Sequence, residues 1–153
     1  MIYNPCNAEM FWAEKGAGAF LNERRLRVSA RRNLNEALFA TGIPFAAVSN
    51  ANRLAFARTL GTLMPQVAGI RRFGAAALDL AWVAAGRYDG FWELGLKPWD
   101  TTAGLLLVRE AGGYATDPHN GEPRDTGHVV AANPTMHPIL TAAVLDGLAA
   151  SGR

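Results

Sequence analysis

The most informative segment of the chain spans residues 97–113 and reads KPWDTTAGLLLVREAGG. Its proline suits the first turn of a helix, and the apolar run after it predicts a helix that continues to Ala111 and is ended by a pair of glycines. Asp100 then lies at the N-terminus of this helix, directly after a strand predicted over residues 88–94. A carboxylate at that position accepts hydrogen bonds from free backbone N–H groups and opposes the helix dipole, so capping alone is one interpretation of Asp100.

In the rest of the chain, the pattern of apolar and polar residues changes near Pro44. Alternating apolar and polar residues before it predict a hairpin-rich segment with strands over residues 10–13, 17–21, 26–29 and 37–41. After it, helices and strands alternate: helices over residues 50–64, 75–85 and 98–111 and one starting at Asn133, and strands over residues 69–73, 88–94, 114–117 and 128–132. This order is typical of a layered α/β or α+β domain, and a chain of 153 residues is long enough for one such domain, which we expect to span residues 1–153.

Composition narrows the class of protein. Half of the residues are hydrophobic (50%) and only 18% are charged, which excludes a disordered chain. With 15 Lys+Arg against 13 Asp+Glu, the net charge of +2 argues against a dedicated nucleic-acid domain. The single cysteine, Cys6, forms no internal disulfide, and we see neither a signal peptide nor an apolar run of ~18 residues, so we expect a cytoplasmic protein without a membrane span. We interpret the basic residues between 24 and 32 as a solvated strand edge: Arg24, Arg25, Arg27, Arg31 and Arg32.

A second carboxylate accompanies Asp100. Glu93 lies near the end of the preceding strand, so the two side chains converge at one strand-to-helix junction, where α/β sheets place ligands. Carboxylates with an open approach suit Mg²⁺, which prefers oxygen ligands and keeps several waters. Two carboxylates are too few for a complete metal site, and the spacing of the three histidines does not predict a ligand pair.

Segment 97–113 resembles a signature of the inositol monophosphatase family, Trp-Asp-x-x-Ala-Gly followed by an apolar helix and Glu-Ala-Gly-Gly. Every position of this signature is present: Trp99, Asp100, Ala103, Gly104, Glu110, Ala111, Gly112 and Gly113. The resemblance continues in residues 11–22, which look like the family's middle hairpin, in residues 71–78, which look like its substrate-side turn and helix, and in residues 129–133, which look like its last strand.

This resemblance implies a layered α/β sandwich, often a homodimer, that hydrolyses inositol phosphate or a related sugar or polyol phosphate with Mg²⁺. By the family's pattern Asp100 would ligate a metal ion and Glu93 would bind substrate hydroxyls. The segment formed by Gly74, Ala75 and Ala76 would line the substrate pocket.

The chain departs from the family in one respect. The family's other metal ligands lie upstream of its middle hairpin, in a Gly-Glu-Glu segment and an Asp-Pro-x-Asp-Gly-Thr segment, and this sequence contains neither; its Asp117-Pro118 continues as His119-Asn120. The chain thus resembles the C-terminal portion of the family. We therefore expect weak or absent Mg²⁺ binding and a catalytically incomplete chain; the alternative is a truncated, non-catalytic homologue that dimerises or binds another protein.

Overall fold

A computed structural model describes residues 1–44 and 49–149 of the chain. The N-terminal segment forms an antiparallel sheet in the order β1-β2-β3-β4, with β1 at Ile2–Asn4, β2 at Glu9–Glu14, β3 at Gly18–Leu21 and β4 at Arg24–Arg25. Successive strands are neighbours, so this sheet is a meander built from local turns.

The second sheet is mixed and has the order β6-β5-β7-β9-β8. Its strands are β5 (Leu38–Thr41), β6 (Gly69–Arg71), β7 (Gly90–Glu93), β8 (Tyr114–Thr116) and β9 (Val129–Ala132). Strand β5 runs parallel to both β6 and β7, whereas β9 runs antiparallel to β7 and β8. The carboxyl ends of β5, β6 and β7 consequently meet at one edge of the sheet.

Helices lie between successive strands of the second sheet and after its last strand, and they cover both of its faces. They are α1 (Asn50–Leu63), α2 (Ala76–Ala84), α3 (Pro98–Glu110), the short α4 (Pro123–Thr126) and α5 (Met136–Ala149), and a 3-10 turn at Leu34–Glu36 precedes β5. Helices α2 and α3 pack against each other between the two sheets, and α1 and α5 pack against each other on the far face. The layers therefore follow the order sheet, helices, sheet, helices.

Strand β7 shows why this architecture forms. Phe91 and Trp92 are both fully buried, but they belong to different apolar cores: Phe91 packs with α2 and α3, and Trp92 packs with α1 and α5. Because successive side chains point to opposite faces of a strand, a sheet covered on both faces needs a continuous apolar run. Strand β9 repeats the alternation, and all of its residues are buried. The expected α/β fold class is confirmed.

Residues 26–29 are the exception among the predicted strands, and the expectation of a strand there is wrong. The ladder partner of β3 is Arg24–Arg25, and the chain leaves the sheet after one more bond, from the Leu26 N–H to the Ala19 carbonyl over 2.7 Å. The Val28 N–H donates to the Ala111 carbonyl at the end of α3, and the Ser29 hydroxyl donates to the carboxylate of Asp89. The alternation of apolar and polar residues here reflects a crossing segment bound to helix and loop groups, not a strand.

The basic segment has two environments. Arg24 and Arg25 form the exposed edge strand of the first sheet, as expected for charges that discourage edge pairing. Arg31 instead donates to the buried Asp89, whose Oδ2 also accepts the Leu38 N–H, both over 2.7 Å. Within residues 1–44 and 49–149 no helix combines the length and the apolar character that crossing a membrane requires.

Candidate active site

A cleft of about 190 Å³ opens at the edge where the parallel strands end. Such an edge is the usual ligand position in an open α/β sheet, because loops diverge there and helix N-termini point toward it. The cleft is lined by residues that follow β5, β6 and β7 and by the start of α3: Gly42, Ile43, Arg72, Gly74, Ala75, Ala76, Glu93, Leu96 and Asp100. All residues that the sequence predicts for the site lie in this lining, although their roles stay predictions.

Asp100 belongs to the first turn of α3 and also lines the cleft. Its Oδ2 accepts the Lys97 N–H over 3.0 Å, which forms one half of a capping box at the start of the helix. The capping interpretation of Asp100 and the cleft interpretation are therefore compatible, since this bond occupies one carboxylate oxygen.

Glu93 reaches the cleft because Gly42 leaves room for it. A Cβ atom at position 42 would lie 2.0 Å from both Cδ and Oε1 of Glu93, so the carboxyl group packs directly on the Gly42 backbone. Gly104 has a comparable role between helices, where a Cβ would lie 2.5 Å from the Leu80 Cβ. These contacts explain physically why glycine stands at both positions.

The Glu93 carboxyl is a weak acid in this setting. Burial raises its pKa to about 7, and the negative charges of Asp79 and Asp100 act in the same direction, whereas Arg72 opposes the shift. Near neutral pH, Glu93 therefore exists in both protonation states and serves as either donor or acceptor to a hydroxyl group.

Asp79 is a functional candidate that the sequence reasoning missed. It is 1% exposed, and neither of its carboxylate oxygens has a hydrogen-bond partner among the described residues. Burial raises its pKa to about 7 despite the charge of Arg72. It lies in the first turn of α2, on the face shared with Ala75 and Ala76 of the cleft. The sequence signal that could have identified Asp79 is that it is the single acidic residue in the otherwise apolar helix α2.

The start of α2 contributes backbone donors. Gly74 has φ +93°, a left-handed conformation that favours glycine, and the following Ala75 is the N-cap residue without a side-chain capping bond. The N–H groups of the first turn are thus left to other acceptors, such as a phosphate or hydroxyl oxygen in the cleft.

The metal-ligating capacity of the cleft is limited. In the described part of the chain, no group of three or more His, Cys, Asp or Glu side chains is arranged to hold a metal ion. Mg²⁺ needs near-octahedral oxygen coordination, and Asp100 with a Glu93 that is only partly ionised near neutral pH falls short of it. The residues present therefore do not form a magnesium centre by themselves.

Known proteins share both the sequence and the fold. An inositol-1-monophosphatase from Caulobacter vibrioides is 50% identical over 141 residues, covering 90% of this chain and 54% of that protein. The Nus factor SuhB of Escherichia coli K12 is 47% identical over 149 residues, covering 97% of this chain and 55% of that protein. The chain spans about half the length of the curated relatives it matches.

Solved structures of similar proteins have the same fold as this chain. The extragenic suppressor protein SuhB of Bartonella henselae has a TM-score of 0.88 at 49% identity, covering 93% of this chain and 55% of that one. An inositol monophosphatase from Anabaena has a TM-score of 0.86 at 37% identity, with 97% and 62% covered. The model of the inositol monophosphatase family matches residues 1–148. With its layered fold and the cleft at its strand ends, the chain belongs to the inositol monophosphatase family.

Proposed function

We propose that the cleft is the substrate-side part of a Mg²⁺-dependent phosphomonoesterase site for an inositol phosphate or a related sugar or polyol phosphate. The observation that carries this proposal is convergence: Glu93, Asp100 and the Gly74, Ala75 and Ala76 segment come from different elements and line one polar cleft. Family membership supports the reaction class, and the sequence signature supports the individual residues.

The chemistry of each group suits a phosphorylated polyol. Glu93, with a pKa near 7, donates to or accepts from ring hydroxyls. The uncapped N–H groups at the start of α2 and the positive charge of Arg72 favour an anionic ester in the same cleft. Asp100 presents a carboxylate at the cleft wall and would be one ligand of the metal ion.

Catalysis needs more carboxylates than the described residues bring together. Because residues 1–44 and 49–149 contain no group of three or more His, Cys, Asp or Glu side chains that could hold a metal ion, we expect the isolated chain to bind the organic part of a substrate without efficient hydrolysis. Turnover would require further acidic ligands from another segment or subunit. We also propose a cytoplasmic setting, which the single Cys6 supports.

The test is an NMR titration of the ¹⁵N-labelled chain with inositol 1-phosphate. We expect saturable shifts in the amides of Gly74, Ala75, Ala76 and Glu93, and a weaker response in Glu93→Gln, because the amide cannot switch protonation state. A control variant, Glu23→Gln, alters an exposed carboxylate in the β3–β4 turn and should bind normally. Shifts spread over the surface, or none at the cleft, would contradict the proposal.

A non-catalytic, protein-binding role is the second candidate, and exposed aromatic residues favour it. Trp99 is 80% exposed and precedes Asp100, and Phe73 is 63% exposed and precedes Gly74, so two exposed aromatic side chains are sequence neighbours of cleft residues. Large exposed apolar groups are typical of interaction sites. If the cleft responds to no phosphate ester, while Trp99→Ser and Phe73→Ser abolish association with a second copy or another protein, this role replaces the enzymatic one.

A further inference from the structure

The loop 94–97 joins β7 to α3 and carries two groups of the candidate site. Leu96 lines the cleft directly. Lys97 ends the loop, and its backbone N–H donates to Asp100 Oδ2 over 3.0 Å. The positions of Leu96 and Asp100 in the cleft therefore depend on where this loop is held.

Two hydrogen bonds attach the loop to the residues just before β9. The Leu96 N–H donates to the Gly127 carbonyl over 2.8 Å, and the Gly95 N–H donates to His128 Nδ1 over 3.1 Å. Gly127 has φ +73°, and a Cβ atom there would lie 2.5 Å from the Leu96 carbonyl oxygen. The loop thus lies in close backbone contact with this segment, and His128 is the side chain that binds it.

The bond from Gly95 fixes the chemical state of His128. An Nδ1 atom that accepts a hydrogen bond carries no proton, so the imidazole is neutral and its proton is on Nε2. Protonation would place a hydrogen on Nδ1, directly opposite the Gly95 N–H, and convert the attraction into a repulsion between two donors. We propose that His128 is a positioning residue of the cleft, whose neutral ring holds the loop 94–97 and whose protonation releases it.

The surroundings of His128 favour the neutral ring at neutral pH. Burial lowers the pKa of His128 below its usual value; the charge of Asp117 and a hydrogen bond with the Gly127 backbone oppose this shift, and the neighbouring His119 acts in the same direction as burial. Asp117 and His119 both belong to the turn after β8; Glu93 lies on the paired strand β7, and Lys97 lies on the loop itself. The significance of the loop for phosphate esters rests on the proposed function, but the hydrogen bond does not.

The experiment follows the loop and the ring together in the ¹⁵N-labelled chain. The His128 ring resonances give its titration, and hydrogen exchange gives the protection factor of the Gly95 amide between pH 7.5 and pH 4.5. We expect protection of Gly95 at pH 7.5 and a loss of about fivefold with the midpoint of His128, since one hydrogen bond is removed. The Lys97 amide shift should move with the same midpoint.

Two variants at this position separate the acceptor from the titration. His128→Asn presents Oδ1 near the place of Nδ1, so Gly95 should stay protected at every pH. His128→Phe keeps a ring without an acceptor, so Gly95 should be poorly protected throughout. The control His119→Asn alters an exposed neighbouring ring, and the pH profile of Gly95 should keep its shape.

The proposal is overturned if Gly95 is unprotected at pH 7.5, if its protection ignores the titration of His128, or if His128→Asn retains the wild-type pH dependence. If His128→Phe fails to fold, the protection of Gly95 in the wild-type chain and in His128→Asn still tests the proposal. The titration with inositol 1-phosphate at pH 7.5 is separate, so a failure of ligand binding and a failure of loop positioning are distinguishable.

Discussion

Replacing Asp79 with asparagine should make the protein more stable at pH 8, and the gain should shrink in acid. The Asp79 carboxyl is buried, has no hydrogen-bond partner among the described residues, and has a pKa raised from 3.8 to about 7. The folded chain therefore holds a proton that the unfolded chain has already released. The stability that this proton confers is present at low pH and is lost as the pH rises toward 7.

The magnitude follows from the width of this interval. Each pH unit between the two pKa values changes the free energy of unfolding by about 1.4 kcal/mol, and this slope falls to half as the pH reaches the folded pKa, so from pH 5 to pH 7 the wild type should lose about 2 kcal/mol relative to Asp79→Asn. The removed charge also lets the pKa of Glu93 fall toward its usual value, because Asp79 is one cause of its shift.

Urea unfolding of both proteins at pH 5, 6, 7 and 8 measures this difference. The control Asp125→Asn changes an aspartate whose side chain is 71% exposed, and its effect should stay within about 0.5 kcal/mol at each pH. If Asp79→Asn differs from the wild type by the same amount at pH 5 and pH 8, Asp79 is ionised in the folded protein throughout, and the reasoning about its burial is wrong.

Three further predictions follow from close contacts and exposed surface. Gly42→Ala should displace the Glu93 carboxyl and weaken inositol 1-phosphate binding in the NMR titration. The control Gly61→Ala, where a Cβ meets no atom within 4 Å, should leave binding unchanged and stabilise α1 by up to ~1 kcal/mol. Equal binding by both variants would refute the packing argument. Glu110→Gln should lower the free energy of unfolding by about 1–2 kcal/mol in urea, because the carboxylate accepts two backbone N–H groups of the β2–β3 turn over 2.8 and 3.0 Å; an unchanged midpoint would show that these bonds add nothing. The isolated chain should self-associate in sedimentation experiments, and the Trp99→Ser variant should self-associate less, because the Trp99 side chain is 80% exposed. A wild-type chain that stays monomeric at high concentration would contradict this prediction.

The sequence predicts the position of Asp100 and Glu93 because both depend on local patterns. A proline and an apolar run mark the start of α3, and an aromatic run marks β7, so the strand-to-helix junction follows from neighbouring residues alone. The capping bond of Asp100 likewise joins residues close in sequence.

Other parts of the site depend on contacts that are distant in sequence. Nothing near Gly42 indicates that Glu93 packs on its backbone, and nothing near His128 indicates that its ring binds Gly95. The segment 26–29 alternates like a strand, yet only its first residue, Leu26, still binds β3, and Val28 and Ser29 bind a helix end and the buried Asp89. Tertiary contacts override a short local pattern in such cases.

Phosphate release from inositol 1-phosphate is the most direct test of the central claim, that this cleft recognises a phosphorylated polyol but lacks a complete metal centre. The assay compares the wild-type chain with Asp100→Asn, with and without Mg²⁺, at pH 7.5. The account predicts that the wild type binds the ester in the NMR titration and yet releases no more phosphate than Asp100→Asn. Robust Mg²⁺-dependent turnover that Asp100→Asn abolishes would contradict it, because the described residues would then complete a metal site that their arrangement does not provide.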